Sequence, residues 1–195
     1  LPADSETRSR HQSLIAVSNS QFYESKLFIV PSPHSHEAGM GLRFHHVANG
    51  VFDTGKTRTN QIEAKVVAQA IVEHAINHPD LSLGVAAFSS QQRRAIQDQL
   101  EILRRDLAPE HEGFFQRHAT EPFFVKNLEN VQGDERDVIF ISVGYAASTP
   151  GGKPAMRFGP LGSAGGDRRL NVLISRAKRR CEVFSSITDE DSFAP

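Results

Sequence analysis

Hydrophobic positions along this chain switch repeatedly between helical and strand spacing. Ser13 to Tyr23 predicts a short amphipathic helix and Lys26 to Val30 a short strand. Pro31 to Gly41 is rich in proline, glycine and histidine and reads as a loop, followed by a strand over Arg43 to Val47. Between Asn60 and Asn77, the residues Ile62, Val66, Val67, Ala70, Ile71 and Ala75 recur at the helical period until His78-Pro79 ends the run. Leu83 to Phe88 predicts a buried strand, and Ser89 or Ser90 is placed to cap a helix running to Arg105. Phe123 to Lys126 and Asp137 to Val143 predict two more strands. The second is nearly all apolar, as a central parallel strand covered on both faces must be. Thr149 to Gly166 reads as a long Gly/Pro-rich loop, then a helix over Arg168 to Arg180 and a strand over Glu182 to Ser186 close the pattern. Such alternation predicts an α/β fold: an open, mainly parallel sheet with helices on both faces. No internal repeat or low-complexity tract interrupts it.

The stretch Arg168 to Arg180, RRLNVLISRAKRR, carries the most chemistry. Projected as a helix at about 100° per residue, Leu170, Leu173, Ile174, Ala177 and Cys181 fall on one stripe that can pack on a sheet. Arg169, Arg176 and Arg180 gather on the adjoining flank. Guanidiniums match phosphate oxygens bidentately and never lose their charge, so this flank suits a phosphate-facing surface. An ordinary amphipathic helix with a solvated basic face would show the same pattern.

Composition narrows the class. A chain of 195 residues is expected to be one domain with a real core. The net charge of −1 means that any nucleic-acid contact must come from a local basic surface, because the global field would not attract it. One cysteine excludes an internal disulfide framework and favours a reducing, cytoplasmic setting. Cys181 itself falls on the apolar stripe and reads as a core residue. No apolar run approaches the roughly 20 residues that span a bilayer, so no membrane partner is expected.

Three other patterns suggest chemistry and are set aside. Gly50 to Thr57, GVFDTGKT, satisfies the P-loop spacing literally. A phosphate cradle needs close backbone approach, however, and Val51 and Phe52 are bulky. Nor does any apolar strand end in paired carboxylates that would hold magnesium, and Asp137 stands at the start of its strand. His34, His36, His45 and His46 have no cysteine cluster or carboxylate spacing to complete a metal site, so none is expected. Serine, histidine and aspartate occur without a G-x-S-x-G elbow, which leaves nucleophilic hydrolase chemistry unsupported.

Val131-Gln132-Gly133-Asp134-Glu135-Arg136-Asp137 with its apolar strand, followed by Arg168-Arg169-Leu170-Asn171-Val172 and Ser175-Arg176-Ala177-Lys178, resembles motifs V and VI of superfamily 1 helicases. The resemblance is nearest to the branch that includes the nonsense-mediated-decay RNA helicase. Ala87 to Gln91 is similar to motif IV, with Phe88 in its aromatic place, and Asn60-Gln61-Ile62-Glu63-Ala64 is similar to that family's Asn-x-x-Glu-Ala helix. Arg8 to Ile15, with Phe22-Tyr23, resembles the segment that opens the second motor domain.

The resemblance implies a RecA-like fold without a functional P-loop, divided as follows. Residues 1–7 are a cloning scar or linker, residues 8–187 the C-terminal motor domain, and residues 188–195 a linker to a missing downstream region. ATP and Mg²⁺ would be held mainly by the missing first RecA-like domain of the same polypeptide, and Arg176 would be the arginine finger. Gln132, Gly133, Glu135 and Arg169 would face the nucleotide. Gln61 stands where many relatives carry a γ-phosphate arginine, with Arg58 nearby as its substitute. Phe88, Ser89, Gln91 and Asn127 would touch single-stranded nucleic acid. The alternative is a degenerate RecA-like domain that only binds protein or nucleic acid.

Overall fold

The structure, a computed structural model, describes residues 14, 40–117, 120–131, 133–154, 170 and 172–188. Its centre is a parallel sheet of five strands: β1 (Gly41–His46), β2 (Leu83–Ala87), β3 (Phe124–Asn127), β4 (Arg136–Ser142) and β5 (Ala177–Ser185), in the spatial order β1-β5-β4-β2-β3. All four pairings are parallel; Val138 lies opposite Leu83 on one side and Arg180 on the other. β4 is therefore hydrogen-bonded along both edges. Its Val138 to Ser142 are all buried, which accounts for the unbroken apolar run.

Alternation along the strands splits the core into two layers. Leu83, Val85, Ala87, Val125, Val138, Phe140 and Phe184 face one way. They meet α1 (Gln61–Asn77) through Ala64, Val67, Ala68, Ile71 and Ala75, and α2 (Ser90–Arg104) through Ala95, Ile96 and Leu100. Ala86, Phe124, Ile139, Ile141 and Cys181 face the other way, against Leu14 and against Leu173 and Ile174 of the helical residues 172–174. The expected α/β architecture, helices on both faces of a parallel sheet, is thus the one observed.

Both long helices start at a side-chain cap. Asn60 Oδ1 accepts from Glu63 N at 3.1 Å and Ser89 Oγ accepts from Gln92 N at 3.1 Å, each supplying an acceptor for an amide that the first turn leaves unpaired. The buried stripe of α1 differs from its predicted one: Ile62 is 42% exposed, and Ala64 and Ala68 take the inner positions. Alanines fit either flank of the helix, so the close approach to the sheet decides which ones go inside. Two single-turn helices that the apolar pattern does not announce, α3 (Pro109–Glu112) and α4 (Phe114–Arg117), follow α2. They bring the buried Phe114 under the core, and the Arg104–Glu112 ion pair ties α2 to α3.

The predicted helix over Arg168 to Arg180 needs correction. Residues 172–174 are helical, but 175–176 form a turn and β5 begins at Ala177, well before the expected Glu182. Ala177 and Cys181 are four residues apart, a spacing that suits one helical face and one strand face equally. Lateral pairing to β1 and β4 makes the strand the better solution, because it satisfies the backbone on both sides. Arg180 consequently leaves the proposed phosphate flank. It sits buried in β5, paired with Glu182 at 2.6 Å, and lines a cavity of about 330 Å³ with Arg43, His45, Glu73 and His74.

Gly84 of β2 lies opposite Phe124 of β3, whose ring covers it. A Cβ there would lie 2.4 Å from Phe124 Cζ and 3.0 Å from Ile139 Cδ1. Gly84→Ala is expected to destabilise the domain by about 1–3 kcal/mol through overpacking. Urea denaturation measures it, and an unshifted midpoint would mean that Phe124 turns aside without cost.

Candidate functional site

Parallel strands gather their ends, and the candidate residues divide between the two ends of this sheet. At the carboxyl end a dry polar network joins four elements. Asn60 N donates to Gln92 Oε1 at 2.9 Å, and Gln92 Nε2 donates back to Asn60 O at 3.2 Å and to Ser142 Oγ at 3.3 Å. Ser142 Oγ and Gly144 N both donate to Glu63 Oε1 at 2.7 Å, while Asn60 Nδ2 reaches Ser186 Oγ at 2.9 Å. Asn60, Glu63 and Ser142 are fully buried. Burial pushes the Glu63 carboxyl up to about 7, although these hydrogen bonds pull the other way. Gly144 has φ +75°, and a Cβ on it would approach Gln92 Cγ to 2.8 Å, so only glycine suits this turn.

The P-loop look-alike lies beside this network and is closed by its own side chain. Asp53 Oδ1 accepts from Gly55 N at 2.9 Å and Lys56 N at 3.2 Å, and Oδ2 accepts from Thr57 N and Thr57 Oγ1 at 2.9 Å. The amides that a P-loop would turn toward phosphate are here turned toward a carboxylate. These bonds hold the Asp53 carboxyl well below the usual carboxylate range. The pattern thus codes for an anchored turn, in keeping with its bulky Val51 and Phe52.

The residues expected on nucleic acid gather at the same end but differ in exposure. Ser89 caps α2 and Gln91 is exposed, and Asn127 Nδ2 donates to Ser90 Oγ at 3.3 Å. Phe88 is 6% exposed within the core, so its ring is structural. The aromatic pair reaching the surface here is Phe52 and Tyr145, with ring centroids 5.4 Å apart; their loops are joined by Phe52 N donating to Ala147 O at 2.9 Å. Arg58 and Gln61 also lie at this end. Arg58 is exposed with φ +53°, and Gln61 Nε2 donates to Thr59 Oγ1 at 2.9 Å.

Arg176 and Glu135 lie at the other end, where β5 and β4 begin. Arg136 N donates to Arg176 O at 3.2 Å, the first rung between the two strands. The Arg176 guanidinium is 3.4 Å from Glu135 Oε1 through Nη1, 3.2 Å from Val172 O through Nε and 3.5 Å from Ser175 Oγ through Nη2. Both side chains of the ion pair keep about a fifth of their surface exposed, at 20% and 19%. Gly133, close by in sequence, has φ +89° and open space where a Cβ would be, so a ligand can approach its backbone.

β5 spans nine residues, and at roughly 3.3 Å per residue it keeps the two ends more than 20 Å apart. The structure therefore does not bring Arg58 or Gln61 to Arg176, and they cannot share one phosphate with it. Gln132 and Arg169 lie outside the described residues, as do His34, His36 and the segment Arg8 to Ser13.

Sequence reasoning missed Glu63, Gln92 and Arg136 as organisers. Glu63 and Gln92 each stand three residues after a cap, a readable signal for a helix start. The nearly buried Arg136 donates to Pro122 O from Nε (2.9 Å) and Nη2 (2.6 Å), and to Glu135 O at 2.6 Å, with its guanidinium 4.8 Å above the Phe124 ring. It holds the amino end together beside the Lys178–Glu121 and Lys126–Asp134 pairs.

The chain matches the AAA domain family across residues 7–188. It is 34% identical over 186 residues to an uncharacterized ATP-dependent helicase of Mycoplasma genitalium, covering 94% of this chain and 16% of that protein. It is 32% identical over 181 residues to the homologous protein of Mycoplasma pneumoniae, covering 92% and 15% respectively. The chain thus spans less than a fifth of the length of these curated relatives. Among the described residues, no helix is long and apolar enough to cross a membrane.

The buried Glu63 makes stability depend on pH. Its carboxyl is raised from 4.5 to about 7 in the fold, so the folded state holds a proton that the unfolded chain has released. The resulting stabilisation is lost as pH rises from about 4.5 to about 7, then levels off. His74 acts oppositely: burial lowers it from 6.5 to about 4, so its contribution is lost as pH falls through that range. Comparing wild type with Glu63→Gln at each pH isolates Glu63. Between pH 5 and 8 the wild type is expected to lose on the order of 2–3 kcal/mol relative to the variant. A constant gap in denaturation midpoints across that range would show that Glu63 is ionised throughout.

Proposed function

The chain belongs to the AAA domain family, and we propose that it serves as the second RecA-like motor domain of an ATP-dependent helicase or translocase, with residues 8–187 forming the motor unit. The observation that carries this reading is Arg176: a partly exposed arginine, tethered at the start of a central strand beside Glu135 and the open backbone of Gly133. An arginine has five N–H donors in a fixed fork. Three are engaged by Val172, Ser175 and Glu135, which leaves one on each terminal nitrogen for a phosphate.

The anchored turn at Asp53 does not fit a nucleotide phosphate, so the phosphate cradle and Mg²⁺ would belong to a preceding RecA-like domain of the same polypeptide. The bound triphosphate supplies the phosphoryl group, and Arg176, closing from the second domain, neutralises charge that develops on it. The superfamily 1 assignment, in the branch near the nonsense-mediated-decay helicase, rests on the motif V and VI resemblance. Similarity to proteins named ATP-dependent helicases supports the broader class.

Single-stranded nucleic acid would run along the carboxyl end, against Ser89, Gln91 and Asn127. Phe52 and Tyr145 take the stacking role that the buried Phe88 cannot. β4 and β5 reach both ends, so opening and closing around nucleotide is passed to the strand through a stiff, doubly covered sheet.

In the polypeptide that carries both motor domains, Arg176→Ala is expected to lower strand-stimulated ATP hydrolysis by about 10³–10⁵-fold. Unchanged turnover would leave the domain a binding module without a finger. Lys56→Ala is expected to leave hydrolysis unchanged, and the 195-residue piece alone is expected neither to bind ATP tightly nor to hydrolyse it. Tyr145→Ala is expected to weaken oligonucleotide binding about 5- to 150-fold, the equivalent of roughly 1–3 kcal/mol for one stacked base. Fluorescence anisotropy with DNA and RNA oligonucleotides reads this out, and unaltered affinity for both would move the track elsewhere.

A further inference from the structure

The geometry points to Glu135 as a positioning residue that acts through Arg176, aiming the guanidinium, and not as a ligand of the nucleotide sugar. This inference rests on the reading of Arg176 as the finger.

Arg176 ends the turn between the helical residues 172–174 and β5, and its backbone is held by the strand ladder through Arg136 N. A long side chain leaving such a point has several rotamers, and ordering one of them costs side-chain entropy. The three tethers suppress that freedom before any nucleotide arrives. Val172 O and Ser175 Oγ belong to the turn that precedes Arg176 and move with it. Glu135 is different. It comes from the start of β4, 41 residues earlier in the chain, and is the one of the three tethers that fixes the guanidinium relative to the sheet.

Glu135 is in turn fixed by its neighbour. Arg136 Nη1 donates to Glu135 O at 2.6 Å, while the same guanidinium grips Pro122 O and covers the Phe124 ring. Orientation is thus passed from the packed ring of Phe124 through Arg136 to Glu135, and from there to Arg176. A carboxylate reaching Arg176 at 3.4 Å and partly exposed to water orients the fork while leaving donors free for a second anion. An arginine placed in advance stabilises developing charge without reorganising when the reaction occurs.

The test is a double-mutant cycle in the polypeptide that carries both motor domains, with steady-state ATP hydrolysis at saturating single strand. Glu135→Ala is expected to lower kcat about 10- to 100-fold, the usual scale for a displaced reacting group, with KM for ATP nearly unchanged. Glu135→Gln keeps an acceptor for Arg176 and is expected to recover part of the loss. In an Arg176→Ala background, Glu135→Ala should cost nothing further, because its route to the chemistry is already cut. A raised KM for ATP, with the preference for ATP over 2′-deoxy-ATP abolished, would make Glu135 a sugar ligand and overturn the inference. So would full additivity of the two substitutions. If Arg176→Ala alone leaves turnover intact, the finger reading fails and takes this inference with it; if Arg176→Ala is impaired and the cycle is additive, only this inference fails. Thermal melting of each variant, expected to match wild type, separates lost positioning from lost folding.

Discussion

Placing a carboxyl group where no water reaches it costs several kcal/mol unless the group is neutral or well bonded, and the carboxyl end of this domain is organised around such a group. Glu63 accepts from Ser142 at the end of β4 and from the glycine that turns the chain away from it. Gln92 and Asn60 then close the ring from α2 and the cap of α1, and Asn60 reaches Ser186 beyond β5. Two helix starts and two strand ends are held in one register by side chains that have nowhere else to bond. A loop bearing Phe52, Asp53 and Arg58 is pinned against the same cluster. Gly50 passes so close to Ser186 and Asn60 that a Cβ would overlap them.

The opposite end uses charge in a wetter setting. Glu121 with Lys178, Asp134 with Lys126, and Glu135 with Arg176 form partly exposed pairs around the nearly buried Arg136. Such pairs stabilise little individually, because water screens them. The dry network and the wet cluster are separated by the length of β4 and β5. The sheet between them is hydrogen-bonded laterally and packed on both faces.

Much of the fold was legible. β4 could be read because a run buried on both faces has to be apolar throughout, and α1 and α2 because a cap residue precedes each periodic stretch. Legibility failed where one spacing serves two periods. Ala177 and Cys181 suit a helix and a strand alike, so Arg180 was assigned to a phosphate flank when it lies in a sheet. The P-loop spacing was set aside for its bulky Val51 and Phe52; what the spacing does not reveal is Asp53, whose carboxylate occupies the turn. In the candidate site, Arg176 and Glu135, read from two separate motifs, stand 3.4 Å apart, whereas Arg58 and Gln61, grouped with them, lie at the far end of the sheet.

The sequence alone determined the alternation of strands and helices, the apolar centre and the capped helix starts. These are local properties, set by the period of side-chain direction and by which residues can bond their own backbone. Tertiary structure decided where the third residue after each cap goes. Glu63 and Gln92 carry the signature of a reciprocal capping box, yet both turn away from their own helix to bond β4 and the other helix's cap. The choice depends on partners brought near from 32 to 79 residues away, and no local rule contains that distance. The same reason explains why only the folded chain shows Glu135 holding Arg176.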